Sequence, residues 1–214
     1  RHLELTETGR KRAIEVMRKH RLAERLLADV IGLDWAYVHE EACRWEHVMS
    51  ERVERRIFEL LNHPTVSPYG NPIPGLAELG GLPSQPYADG VINLLEAMAG
   101  YGPDSRVRVS RLAEPIQVEP ELLVQLDEGG IRPGALVSLE RVGEYISVRV
   151  PDIEGALELP PEVAAESMLV NSSLDPNEAA ARLRGVAEGR YRLMPGIVSA
   201  LTERYPDVRV KVFA

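Results

Sequence analysis

The sequence predicts an α+β protein, with a helical unit followed by a small β-barrel-like unit. Three observations carry this. Apolar residues recur at helical spacing between Ala13 and Leu61, proline and glycine crowd residues 62–90, and from residue 105 the apolar period shortens to two.

In chain order, RHLEL (1–5) alternates like the end of a strand. Thr6 suits a helix N-cap, although Gly9 weakens the first turn. Ala13, Val16, Met17, Leu22, Leu26, Leu27, Val30 and Ile31 follow a helical period, and Gly32 is a natural stop. Asp34 can cap a second helix through about Val48, and Ser50 a third through about Leu61 with the stripe Val53, Ile57, Leu60, Leu61. Residues 62–90 read as an extended linker with polyproline-like pieces, because proline lacks an N–H and clashes with a preceding helical turn. Residues 91–99 suit one short helix. SRVRVSRL (105–112), ALVSLERV (135–142) and EYISVRV (144–150) alternate as half-buried strands, separated by Gly129, Gly130, Pro133, Gly134 and Gly143. Residues 177–214 read as two helices and a final strand.

The bulk properties narrow the function. A chain of 214 residues suits one large or two small domains with a real core. Its 44% hydrophobic and 27% charged residues are ordinary for a globular protein. The net charge of -8 argues against a general phosphate-binding surface. The basic run at 10–26 reads most simply as a solvated helix face. One cysteine forms no intrachain disulfide, which points to a reducing, cytoplasmic setting. No apolar run reaches the ~18 residues of a membrane span, and no leader pattern is present. Arg1 in place of Met fits a chain that begins inside a longer protein. The sequence has no Walker-type loop, no G-x-S-x-G elbow and no Cys-x-x-Cys pair.

HEEACRWEHVMSE (39–51) is the chemically dense stretch. On a helix, His39, Cys43, Glu46 and His47 share one face. His20 and Glu24 share a face of the preceding helix, and two helices joined by a short turn pack side by side. The plain alternatives are a small buried cysteine and surface His–Glu pairs. Clustering favours a metal site, and mixed S, N and O donors suit a divalent transition metal better than calcium or magnesium. A Cys–His nucleophile is the rival. A helix interior is a poor place for it, and no oxyanion-hole sequence accompanies it.

RHLELTETGRKRAIEVMRKHRLAERLL, VHEEACRWEHVMSERVERRI and SPYGNPIPGL strongly resemble the diphtheria toxin repressor / iron-dependent regulator family, closely over residues 1–80 and more loosely to about 169. The resemblance implies a helical dimerisation and metal-binding domain at 6–80, a linker at 81–104, an SH3-like domain at 105–170 and an unassigned extension at 171–214. RHLEL would be a remnant of the wing strand, with the N-terminal winged helix–turn–helix mostly absent. It implies two metal sites per subunit. The ancillary site would use His20, Glu24, His39, Glu114 and Gln117; the primary site would use Cys43, Glu46 and His47 with a methionine from the absent segment. An anion would sit on Arg21, Ser67 and Asn71. The implied protein is an Fe(II)-activated transcriptional repressor of iron-homeostasis genes, not an enzyme. Mn(II) is possible as the physiological metal, and Co(II), Ni(II) or Zn(II) can occupy the ligands in vitro. A homodimer built around Trp45 and operator DNA bound through the absent domain are the implied partnerships. Because SH3-type grooves bind extended proline segments, docking of SPYGNPIPGL on the SH3-like domain is a further reading, with a plain linker as the simpler one. The alternative is an iron or manganese buffer or interaction protein without DNA function.

Overall fold

A computed structural model describes residues 4–101, 106–151 and 153–171. The wing-strand expectation falls mostly, and the C-terminal extension almost wholly, outside the described residues.

Helix α1 (Glu7–Leu26) starts where Thr6 Oγ1 accepts from the Gly9 N–H at 3.1 Å, with Glu7 at the positive end of the helix dipole. It widens into a π-helical turn, Leu27–Ile31, and stops at Gly32, whose φ of 73° favours glycine. Asp34 accepts from the Ala36 N–H and opens a short 3-10 turn, Trp35–Tyr37, which leads into α2 (Val38–Trp45). The sequence pattern carried α2 to Val48, but the helix ends at Trp45. Both Val48 and Met49 donate to the Trp45 carbonyl, and the chain turns there to bury Met49 and bring Ser50 to the cap of α3 (Glu51–Leu60).

The reading of 62–90 as an extended linker is corrected over its first part. Val66 bridges to Pro72, Ser67 N–H donates to Asn71 O, and Gly70 N–H closes a turn on Ser67 O. Proline fixes the second position of such a turn as readily as it extends a chain. What decides here is burial, since Tyr69 and Ile73 are fully enclosed and the Tyr69 hydroxyl donates to Trp35 O at 2.7 Å. A 3-10 turn, Leu76–Leu79, follows.

The second half carries β1 (Val91–Asn93), α4 (Leu94–Tyr101), β2 (Arg106–Leu112), α5 (Glu114–Gln117), α6 (Pro120–Glu128), β3 (Leu136–Val142), β4 (Tyr145–Arg149), β5 (Leu157–Leu159), α7 (Pro161–Ser167) and β6 (Met168–Asn171). The six strands form one antiparallel sheet in the order β1-β6-β2-β3-β4-β5. The three alternating segments read from sequence are β2, β3 and β4. Strand β1 lies inside the stretch assigned to the 81–104 linker, where it pairs with β6.

The turn at 67–72 is stitched to β2. Leu112 N–H donates to Tyr69 O at 2.9 Å, and Asn71 Nδ2 donates to Leu112 O at 2.9 Å. Gly70, at φ 81°, sits so close to Ser110 O that a Cβ there would overlap it. The Pro-rich segment thus meets the sheet as a compact turn, not as a polyproline strand.

Candidate metal centre

Two helices position the central donors. His20 and Glu24 lie one turn apart on α1, and His39 and Cys43 one turn apart on α2, which packs against it. Leu22, Ala23, Val38 and Ala42 are fully enclosed between and behind them, so the two backbones are held close.

Three donor atoms form a tight triangle. His20 Nε2 lies 2.9 Å from Glu24 Oε1 and 3.1 Å from His39 Nδ1, and the last two are 3.1 Å apart. Donors at right angles around an ion at about 2.1 Å would be separated by about 3.0 Å. Three buried groups with that spacing match one face of a metal coordination shell. Cys43 Sγ adjoins them at 3.7 Å from His39 Nε2, and the ligand atoms of His20, His39 and Cys43 all lie within 4.8 Å.

Glu46 Oε2 lies 2.7 Å from His20 Nδ1. Because α2 ends at Trp45, His47 leaves the helix face on which the sequence placed it. Its side chain is 69% exposed, and it lies beside Glu46 Oε1 at 3.1 Å. Trp45 is half-buried, with its indole N–H on Glu41.

Of the two second-half residues, Glu114 reaches α1 and Gln117 bonds within its own half. Glu114 accepts from Arg21 Nη2 at 2.8 Å. Gln117 donates through Nε2 to Leu112 O at 2.6 Å, while its buried Oε1 has no partner among the described residues. Arg21 also donates to Pro72 O, and its buried Nε has no partner among the described residues. Ser67 Oγ accepts from Tyr69 N–H, and the buried Asn71 Oδ1 has no partner among the described residues.

Burial opposes a positive charge on His20, but the hydrogen bond to Glu24 and the fields of Glu24, Glu46 and Glu114 outweigh it and raise its pKa. Burial would push Glu24 up, yet hydrogen bonds from His20 and His39 hold its carboxyl below the usual range. Burial and then the carboxylates Glu46, Glu24 and Glu114 push the Cys43 thiol up. A metal cation bound here would displace those protons.

The solvated-face reading of the basic run is corrected at Arg18, Lys19 and Arg21, all buried. Sequence reasoning missed Arg18 altogether. It donates to Glu54 at 2.6 Å, to Glu78 at 2.7 Å and to Gly75 O at 3.1 Å, fastening α1 to α3 and to the chain beyond. Its partners lie 36 to 60 positions away, so no local pattern exposes it.

Residues 6–75 match the family model for the iron dependent repressor metal binding and dimerisation domain. The chain is 53% identical over 167 residues to the iron-dependent repressor IdeR of Mycobacterium tuberculosis, covering 77% of this chain and 71% of that protein. It is 50% identical over 141 residues to the diphtheria toxin repressor of Corynebacterium diphtheriae, covering 65% and 60%. Among solved structures, a manganese-dependent transcriptional repressor in complex with manganese superposes with a TM-score of 0.64 at 28% identity, covering 79% and 75%. The IdeR of T. acidophilum superposes at 0.60 with 32% identity, covering 79% and 72%.

Proposed function

The chain belongs to the iron-dependent repressor family, metal-dependent transcriptional repressors and not enzymes, and from that premise we propose that it is the metal-sensing and dimerising part of an Fe(II)-activated repressor. The observation that carries this reading is the buried triangle of His20 Nε2, Glu24 Oε1 and His39 Nδ1, with edges of 2.9 to 3.1 Å. Two imidazoles and a carboxylate buried together at that spacing also suit the donor set of a divalent cation.

In this reading the chain holds two metals. The first, ancillary site takes His20, Glu24 and His39, completed by Glu114 and Gln117. The unpartnered Gln117 Oε1, buried next to the segment that holds Arg21, supports its role as an oxygen donor. The second, primary site takes Cys43, Glu46 and His47. A thiolate there favours Fe(II) over Mn(II), because softer donors bind iron better. Arg21, Ser67 and Asn71 are the anion-holding set, with the free Arg21 Nε as its donor.

A bound metal supplies one centre of positive charge on which residues from different elements converge. The chain's own residues do the rest. His20 and His39 give neutral ring nitrogens, Glu24 gives a charge-balancing carboxylate, and the 67–72 turn holds α5 and β2 within reach. Ligands drawn from α1, α2 and α5 are assembled together only when the sheet half is docked, so metal uptake favours that arrangement. The regions 6–80 and 105–170 then act as the dimerising metal-binding part and the SH3-like part. Val30, Ile31, Tyr37 and Val48 are exposed apolar residues of the helical half, and they supply surface for a two-fold partner in a cytoplasmic homodimer.

Anaerobic Fe(II) titration by calorimetry tests the assignment. Two classes of site are expected in the wild type, with one lost in Cys43→Ala and the other in Glu24→Gln. Identical isotherms for all three proteins would refute it.

A further inference from the structure

The two imidazoles at the centre of the triangle face both ways. His20 turns Nε2 to Glu24 and His39, at 2.9 and 3.1 Å, and Nδ1 to Glu46 Oε2, at 2.7 Å. His39 turns Nδ1 to Glu24, at 3.1 Å, and Nε2 to Cys43 Sγ, at 3.7 Å. Each ring therefore gives one nitrogen to the first ligand set and the other to a member of the second.

This follows from where the helices put them. Cys43 stands one turn beyond His39 on α2, under the outer nitrogen of that ring. Glu46 is the residue that closes α2, and it reaches across to α1. Its carboxylate is divided, with Oε2 on His20 and Oε1 beside His47 Nε2 at 3.1 Å. One oxygen thus faces each site.

An imidazole that binds a metal through one nitrogen carries its proton on the other. The group that accepts that proton sets the tautomer and the ring orientation. For His20 the acceptor in place is Glu46; for His39 it is the Cys43 sulfur.

We infer that Glu46 and Cys43 are positioning residues for the first site as well as ligands of the second, so that the two sites are coupled positively through His20 and His39. The inference rests on the two-site reading above. A metal held on Glu46 Oε1 and Cys43 Sγ fixes the acceptors that orient both rings. A metal on the rings strengthens their outer N–H groups as donors and so holds Glu46 and Cys43 in place. Linkage requires the two effects to be equal.

Co(II) on the whole chain is the probe, because thiolate-to-cobalt charge transfer reports Cys43 separately from the nitrogen and oxygen donors. In a Cys43→Ala background, which removes the thiolate of the second site and one of the two acceptors behind the first, Co(II) affinity is measured by calorimetry with Glu46, Glu46→Ala and Glu46→Gln. Alanine should weaken binding by about tenfold or more, and glutamine, which keeps an oxygen acceptor, should restore much of it. In the chain with Cys43 intact, Glu24→Gln should raise the Co(II) concentration that half-saturates the charge-transfer band by about tenfold. A Glu46→Ala affinity within about twofold of its parent, or a charge-transfer midpoint that stays put or falls, would overturn the coupling. A Glu24→Gln variant that still binds Co(II) normally in the Cys43→Ala background would give a different result. It would refute the first-site assignment itself.

Discussion

The Arg21 guanidinium donates to the Glu114 carboxylate at 2.8 Å, joining residues 93 positions apart. Glu114 is thereby held by a cation of the helical half, while its charge still acts on His20. If Glu114 is to serve a metal, Arg21 must release it, and an oxyanion is the natural replacement partner for the guanidinium. Sulfate or phosphate, compared with chloride at equal ionic strength, should therefore strengthen Co(II) binding to the first site. The gain should vanish in Arg21→Ala. Calorimetric titrations in the two buffers measure this, and an equal anion effect in wild type and variant would contradict the exchange.

Arg18 and Glu54 form an ion pair at 2.6 Å with side chains 4% and 0% exposed. Removing one partner leaves the other charged and enclosed, which costs about 3–5 kcal/mol. Arg18→Ala should lower the urea midpoint accordingly, whereas a double change to apolar residues, Arg18→Met with Glu54→Leu, should recover much of the loss. A single variant as stable as the wild type would show that the pair does not hold α1 in place.

Gly70 combines a φ of 81° with the overlap that any Cβ would make on Ser110 O. Gly70→Ala should strain the turn and push it off β2, lowering stability by about 1–3 kcal/mol. Because Asn71 and Tyr69 hold β2 from the same turn, the variant should also weaken first-site metal binding. Thermal unfolding and a Co(II) titration on one sample check both effects. Normal metal binding in a destabilised Gly70→Ala protein would remove the turn from the site's assembly.

The caps at Thr6, Asp34 and Ser50 and the stop at Gly32 were legible because each depends on neighbours within three or four residues. The end of α2 at Trp45 was not, since it answers to burial of Met49, and with it went the helical placement of His47. Proline at 68 and glycine at 70 are compatible with linker or turn. Only the enclosure of Tyr69 chooses between them. The alternation in β2, β3 and β4 was visible, whereas β1 and β5, at three residues each, are too short to show a period. Helical spacing put His20 and Glu24 on one face and His39, Cys43, Glu46 and His47 on another, and the packing expected of adjacent helices joined the faces; the structure brings the first five together and leaves His47 exposed at the edge. Glu114 and Gln117 were reachable only through the family resemblance. The contact of Glu114 with Arg21 on α1 depends on how the sheet docks, which spacing does not encode.

The raised pKa of His20 has a definite sign. In metal-free protein its ion pair with Glu24 contributes stability fully present below the ordinary histidine value of about 6.5, and lost as pH rises through the raised value. A metal needs the neutral ring, so affinity should rise across the same window as the proton leaves. Thermal unfolding over that range should show the metal-free protein losing stability and the Co(II)-loaded protein gaining relative to it. Parallel curves would contradict proton–metal exchange at His20.

The central claim is that this cluster of donors holds two metals and not one. The ligand atoms of His20, His39 and Cys43 lie within 4.8 Å, close enough that a single ion drawing on all three is the competing arrangement. Anomalous scattering at the cobalt edge from Co(II)-loaded crystals decides between them. Two peaks per chain are expected, one bonded to His20 Nε2, Glu24 and His39 Nδ1 and the other to Cys43 Sγ, Glu46 and His47. A single peak bonded to Cys43 together with His20 or His39 would contradict it.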